Sequence, residues 1–222
     1  FAFTADIHLS RYAQDLVDEL SGLPQRLDGI QNALSSITEI CRQKKVQNII
    51  IGGDILHTKS IIYALAQKLM LEFFEYNDDI TFWVIDGNHD LSGKGEDAIS
   101  ALVSLKYLNN VKWISQESMK FQNMMFIPYS HDMVNQIKDN QADILISHFG
   151  LSEGVLNSGI SIVSKIGLKD LRGKYKLVLL GHYHKPQEII ESEISLYYVG
   201  SPIQLDWGEK GDKKRFLIFF LL

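Results

Sequence analysis

Six of the seven histidines in this 222-residue chain stand where an apolar run ends in polar residues. Phe1–Thr4 leads into Asp6-Ile7-His8. Asn48–Ile51 leads into Gly52-Gly53-Asp54-Ile55-Leu56-His57, and Ile80–Ile85 leads into Asp86-Gly87-Asn88-His89-Asp90. Asp143–Ile146 leads into Ser147-His148, and Leu177–Leu180 into Gly181-His182-Tyr183-His184. Only His131 lies elsewhere. Singly, Asp6-x-His8 and Gly-Gly-Asp read as ordinary turns, while Gly87-Asn88-His89-Asp90 and Gly181-His182-Tyr183-His184 read as turn or metal site equally well. Independent turns would not collect histidine so selectively, so the five tips are expected to converge on one site, as ligand sites do at the carboxyl ends of strands.

The residue types name the chemistry. Imidazole, carboxylate and amide oxygen without thiolate suit divalent ions such as Mn²⁺, Fe²⁺ or Zn²⁺. There are more candidate donors than one ion uses. Two ions ~3.5–4 Å apart, bridged by a carboxylate, would accommodate them; such a pair activates water and clamps phosphoryl oxygens during in-line displacement.

The elements that must carry these tips alternate first and then change. Leu23, Leu27, Ile30, Leu34, Ile37 and Ile40 recur at helical spacing. Asn48–Ile51 reads as a buried strand, 61–76 as a helix capped by Ser60, 80–85 as a strand and 96–107 as a helix. Short strands follow at 111–114, 118–121 and 124–127, then a helix at 133–138 and a strand at 143–147. Strands at 177–180, 188–191, 196–199 and 215–222 complete the chain. This order predicts two sheets with helices packed outside.

Composition sets the frame. An apolar fraction of 45% and a charged fraction of 22% fit one globular domain spanning 1–222. One cysteine, Cys41, excludes an internal disulfide framework and a thiolate zinc site. A cytoplasmic location fits that cysteine usage. No apolar run is long enough for a membrane helix. The opening Phe1-Ala2-Phe3-Thr4 has neither a secretory leader pattern nor a Met, so leading residues are expected to be missing or processed. The net charge of −5 gives no bulk attraction to nucleic acid. Two divalent ions would bring it to −1 and place positive charge where a phosphate must approach.

The ordered motifs D-x-H, G-D, G-N-H-D, an isolated His and G-H-x-H, over residues 6 to 184, resemble the calcineurin-like metallophosphoesterase superfamily. The resemblance implies an α/β fold, a four-layer α-β-β-α sandwich of two mixed sheets flanked by helices. It implies a first metal held by Asp6, His8, Asp54 and His184, and a second by Asp54, Asn88, His148 and His182. Asp54 is then the bridge. His89 resembles the family's phosphate-contacting histidine, and Asp90 is expected to orient its ring.

Within the superfamily, Gly53-Asp54-Ile55-Leu56-His57-Thr58 lacks the Arg of protein phosphatases. A His three residues past the bridging Asp resembles the SbcD-type DNA double-strand-break repair nucleases, where it positions the phosphate backbone; His57 takes that place. Gly181-His182-Tyr183-His184-Lys185-Pro186-Gln187 and Gly200-Ser201-Pro202 with Glu209 and Lys213-Lys214 resemble further segments of that family. The implied function is a Mn²⁺-dependent DNA exonuclease or endonuclease in repair or recombination, acting through a two-metal-activated hydroxide. Fe²⁺, Zn²⁺ and Mg²⁺ are the other candidate ions.

The implied partners are DNA, a coiled-coil ATPase subunit of the SbcC type, and a second copy paired through helices at 60–76 and 97–107. DNA contacts are expected from Ser92–Gly95, Lys165–Lys174 and Lys210–Arg215, with a substrate loop at 150–164. The family's capping and ATPase-binding segments are expected to be absent, since the chain stops at Leu222. Two rival readings remain: a cyclic-nucleotide or phosphomonoester hydrolase on the same metals, and a non-catalytic scaffold.

Overall fold

Alternation along the strands decides the architecture. In the computed structural model, which describes residues 1–12, 16–93, 95–156, 158–159 and 163–220, the elements run as follows. They are β1 (Ala2–Thr4), α1 (Gln25–Gln43), β2 (Asn48–Ile51), α2 (Ala64–Glu75), β3 (Thr81–Ile85), β4 (Leu91–Ser92), β5 (Ile99–Ser100) and β6 (Val111–Ile114). Next come β7 (Met119–Phe121), β8 (Met124–Ile127), α3 (Met133–Asp139), β9 (Ile144–His148), α4 (Leu168–Leu171), β10 (Leu177–Gly181), β11 (Gln187–Ile190), β12 (Ser195–Tyr198) and β13 (Leu217–Ile218).

One sheet has the order β13-β1-β2-β3-β6 and the other β11-β12-β10-β9-β8-β7. Both are mixed. β13 runs antiparallel on a parallel core in the first. In the second, β7 and β11 are antiparallel edges on a parallel centre. Successive side chains point to opposite faces. Ile50, Phe126, Ile144, Ile146 and Leu179 therefore meet between the sheets, while their neighbours face outward. Ile49, Ile51, Phe82 and Val84 pack under Leu27, Ile30 and Leu34 of α1 and Leu69, Met70 and Phe74 of α2. Leu145, Val178 and Leu180 pack under Met133 and Ile137 of α3 and Leu168 and Leu171 of α4. These three apolar layers make the expected four-layer α-β-β-α sandwich.

Three elements differ from expectation. Ser60 does not cap α2; the helix starts after Tyr63 with no side-chain cap. The Thr58 hydroxyl donates to the Ile61 carbonyl and holds the approach in a loop, which leaves Ile61 and Ile62 outside the helix. Residues 96–107 form no α-helix. Gly93 and Gly95 adopt positive φ and turn the chain into the β4–β5 hairpin, followed by a 3-10 turn at Val103–Tyr107. Backbone donors needed for a helix are spent elsewhere: Ala101 N–H reaches the Asp90 carbonyl at 2.8 Å. The terminal strand shrinks to Leu217–Ile218, and residues 221–222 lie outside the described residues. The short helix α4 carried no periodic signal.

No helix among the described residues is long and apolar enough to cross a membrane.

Candidate metal centre

The site is built from the ends of parallel strands. After β1 and β2 the two chains stay zipped together: Asp6 N–H donates to the Gly53 carbonyl at 3.1 Å, His8 N–H to Asp54 at 2.9 Å, and Leu9 N–H to Ile55 at 2.8 Å. This extension past the strands holds Asp6, His8 and Asp54 side by side. It also strains them. Asp6, His8, Asp54 and His182 have φ of 56, 55, 55 and 95°, four of the seven non-glycine residues with positive φ among those described. Such conformations cost roughly 1–3 kcal/mol each and cluster where function requires them.

All seven expected ligands come together. Nε2 of His8 and Nε2 of His184 lie 2.9 Å apart. Asn88 Oδ1 is 3.1 Å from His148 Nε2 and 2.9 Å from His182 Nδ1. One donor atom each from Asp6, His8 and His184 falls within 4.8 Å of the others, and so do atoms of Asp6, Asp54 and His148. Asp54 Oδ2 lies between the two groups, 3.6 Å from His8 Nε2 and 3.3 Å from His148 Nε2. That is the placement a bridging carboxylate needs.

The outer atoms of the imidazoles test whether cations fit. A carbonyl or an ionised carboxylate can only accept, so a ring nitrogen facing one must donate. His148 Nδ1 donates to the Gly52 carbonyl at 2.7 Å. His184 Nδ1 donates to Glu209 at 2.7 Å. In each neutral ring the inward Nε2 is then the bare lone pair, the form a metal requires. Crowded lone pairs facing one another need a proton or a cation between them, and the donor set fits two divalent ions.

Burial dominates the electrostatics. It pushes Asp6 above the usual carboxylate range and Asp90 well above it, the latter with help from the Asp54 and Asp86 charges. It holds His8 well below its ordinary value and lowers His182 to about 4, with the His148 charge adding to the second shift. Burial would also raise Asp54, but the charge and hydrogen bond of His148 win and hold it low. Burial opposes a cation at His148, yet the Asp54 and Asp6 carboxylates raise it to about 9. Asp54 and His148 thus favour each other's charged forms, while burial disfavours a cation at His8 and His182.

His57 and His89 stand at the edge of this cluster. Their rings stack with centroids 5.4 Å apart. Nδ1 of His57 is 3.2 Å from Nδ1 of His8. With His8 they form a third group whose donor atoms lie within 4.8 Å of one another. His89 Nδ1 donates to the His57 carbonyl at 2.7 Å, and its backbone N–H donates to Asp54 Oδ1 at 2.7 Å.

Asp90 does not orient the His89 ring. Its carboxylate is buried below the loops and accepts from the backbone N–H groups of Asp54, Leu56 and Gly87 at 2.8–2.9 Å. It ties the β2 tip to the β3 tip. Gly87 is needed at that junction, because a Cβ there would overlap the Asp54 carboxylate.

Sequence reasoning missed the part played by Glu209. It is buried, takes Nδ1–H of His184 on one oxygen, and takes Lys214, Ser201 and Leu205 N–H on the other. Burial alone would raise this carboxyl, but His184 and Lys214 hold it at about 2. The only signal was its place in the Gly200-Ser201-Pro202 segment. Lys214 and Arg215 are correspondingly committed to Glu209 and Glu188 rather than presented as a basic loop, and Arg172 is paired with Glu191. Lys94 and residues 157 and 160–162 of the expected loops lie outside the described residues.

Comparison with known proteins agrees with this geometry. A family model described as calcineurin-like phosphoesterase matches residues 1–186. The chain is 23% identical to a DNA double-strand break repair protein Mre11 of Archaeoglobus fulgidus over 236 aligned positions, covering 94% of this chain and 51% of that one. It therefore spans about half the length of that relative. Among solved structures it resembles a dimetal phosphatase from Danio rerio (TM-score 0.56, 12% identity, 91% of this chain and 87% of that one). It also resembles nuclease MPE of Pseudomonas putida (TM-score 0.50, 14% identity, 96% of this chain and 78% of that one). At such identities the structural likenesses speak for the fold.

Proposed function

The chain belongs to the calcineurin-like phosphoesterase family and is a dimetal phosphoesterase; from that premise we propose that it cleaves DNA phosphodiester bonds with Mn²⁺, in repair or recombination. The observation that carries the reading is the stacked His57–His89 pair at the edge of the donor cluster. A monoester needs charge neutralised around one phosphate. Either ester needs its leaving oxygen protonated, but a diester within a polymer also needs its backbone held beside the cut, and two imidazoles outside the ligand set suit those two tasks.

Asp6, His8, Asp54 and His184 would hold one ion, and Asp54, Asn88, His148 and His182 the other. Bound there, the ions supply Lewis acidity that activates water and neutralises phosphoryl oxygens. The protein does the rest. Gly52 and Glu209 fix the ring orientations of His148 and His184. The His57 carbonyl holds the proton on His89 Nδ1, so the doubly protonated ring gives its Nε2 proton to the departing 3′ oxygen and is left as the neutral Nδ1–H tautomer. His57 contacts His8 and lies on the solvent side, where it can steady the adjacent phosphate.

A second copy of the chain is the proposed partner. Ile61, Ile62, Leu65, Ile99 and Val103 form exposed apolar surface, with Ile61 at 64% and Ile99 at 70% exposure. The segments match those expected to pair, although 97–107 contributes a hairpin and a 3-10 turn rather than a helix.

The test of the activity is a Mn²⁺-dependent assay on 3′- and 5′-labelled duplex and single-stranded DNA beside 2′,3′- and 3′,5′-cyclic nucleotides and phosphomonoesters. Preferential DNA cleavage is expected. Turnover of the small esters alone would replace the nuclease reading with the small-molecule one.

A further inference from the structure

Trp207 is out of place on a protein surface. It is 90% exposed, whereas Trp83 is 9% exposed. The indole N–H groups of the other two tryptophans are satisfied inside the structure, Trp83 by Asn48 Oδ1 at 3.1 Å and Trp113 by Asp86 Oδ1 at 2.9 Å. Tryptophan carries more apolar area than almost any other side chain, and leaving it in water forgoes that burial. A large exposed aromatic on a rigid support is an interaction feature more often than a packing one.

Its support is rigid, and it belongs to the metal centre. Trp207 opens the one-turn 3-10 segment Trp207–Glu209. Asp206 caps that turn, accepting Gly208 N–H at 2.7 Å. Two residues on, Glu209 is clamped by His184, Lys214, Ser201 and the Leu205 backbone. Asp206 and Gly208, the immediate neighbours of Trp207, line a cavity with His182 and His184. Its volume of about 330 Å³ is at the small end of ligand sites. Consecutive Cα atoms are ~3.8 Å apart, so the indole is tethered within one residue of a wall of that cavity.

We propose that Trp207 is a stacking platform for a nucleobase of the substrate, the base next to the phosphate held at the metal centre. This rests on the nuclease reading. A nucleobase is planar, aromatic and carried at a fixed distance from its phosphate, so a flat apolar face anchored one residue from the cavity wall that His182 and His184 share can engage the base while the donor cluster engages the phosphate. Stacking is sequence-tolerant, because every base has a π face. It also suits an acidic chain, since base stacking needs no positive charge. A base splayed from its neighbours is most available at a single-stranded or frayed end, so the platform favours such ends over the interior of a duplex.

The test pairs a protein change with a substrate change. Single-stranded oligodeoxynucleotides carrying one abasic residue at successive positions around the cut bond are compared with the intact strand, using wild type, Trp207→Ala and Trp207→Phe loaded with Mn²⁺. In wild type, one abasic position should raise KM by roughly tenfold or more. Trp207→Ala should show the same rise on intact DNA and no further rise at that abasic position, while Trp207→Phe keeps part of the discrimination. Quenching of the indole fluorescence by intact but not abasic oligonucleotide, with Ca²⁺ replacing Mn²⁺, gives a readout independent of turnover. If abasic substitution costs wild type and Trp207→Ala equally, the stack is overturned and the nuclease reading stands. If wild type cuts no oligonucleotide yet hydrolyses small phosphoesters, both fall. Because the side chain is exposed, unchanged melting of the variants is the control for folding.

Discussion

Glu209 holds Nδ1 of His184 at 2.7 Å from a carboxylate that is 1% exposed, while Lys214 neutralises the other oxygen. The contact does two things to the metal centre. It fixes which nitrogen of His184 faces inward, and it makes that nitrogen a stronger donor. Glu209→Gln should keep the fold and weaken one ion by roughly 10–100-fold while leaving the other. Mn²⁺ titration by calorimetry would read this as one of two binding steps shifting. Glu209→Ala should do more damage, because it leaves the largely buried Lys214 ammonium with only the more distant Asp212 carboxylate, at 3.6 Å, a loss of about 3 kcal/mol. The difference between the two variants in melting temperature separates orientation from charge balance.

Asp54 is shared. Its Oδ2 faces both His8 and His148, and its Oδ1 accepts His89 N–H at 2.7 Å. Asp54→Ala should therefore empty both positions rather than one. Elemental analysis after dialysis against Mn²⁺ checks this, and two retained ions per chain would contradict a bridging role.

Asp90 is a structural staple. Its carboxylate satisfies three backbone N–H groups from two strand tips. Asp90→Ala strands all three in a buried place, at about 1–3 kcal/mol each before relaxation. A fall in urea midpoint equivalent to about 3 kcal/mol or more is expected. A variant of ordinary stability with lost turnover would instead return Asp90 to a direct role beside His89.

These cases show why part of the site was legible and part was not. Candidate metal-binding types are few and gather at strand ends, so the residues that converge here, Asp6, His8, Asp54, Asn88, His148, His182 and His184, stand out in one dimension. The two-sheet fold was legible for a related reason: β2, β8 and β10 are buried on both faces and so read as continuous apolar runs. Asp90 was visible as a residue but not as a staple, because its partners are backbone groups, which look alike in any sequence. Glu209 lies 25 positions from His184, and nothing local marks the contact. The positive φ of Asp6, His8 and Asp54 is equally hidden, since such angles are expected of glycine rather than of these side chains. The helix expected at 96–107 failed because two glycines and the pairing of β4 with β5 outweighed a weak periodic signal.

The exposed apolar surface at Ile61, Ile99 and Val103 predicts self-association. Replacing Ile61 and Ile99 together with Glu places two charges where a partner copy would pack, and none in the core. Light scattering should shift from dimer to monomer with little change in melting of the separated chain. A wild-type chain that is monomeric at tens of micromolar would dispose of the interface.

His89 is the residue on which the chemistry of the nuclease reading turns. It is outside the seven-ligand set, its Nδ1 proton is held by the His57 carbonyl, and its ring stacks on His57. Truncation should leave Asp54 and the ligands in place, because the contact from position 89 to Asp54 is made by the backbone. His89→Ala should thus retain both ions and lose about 10²–10⁴-fold in DNA cleavage, the usual contribution of a positioned acid. The loss should shrink for a diester whose leaving group departs readily without a proton, such as bis(p-nitrophenyl) phosphate. Equal losses on both substrates, with full metal content, would assign His89 to phosphate binding alone. Undiminished cleavage of DNA would remove it from the reaction.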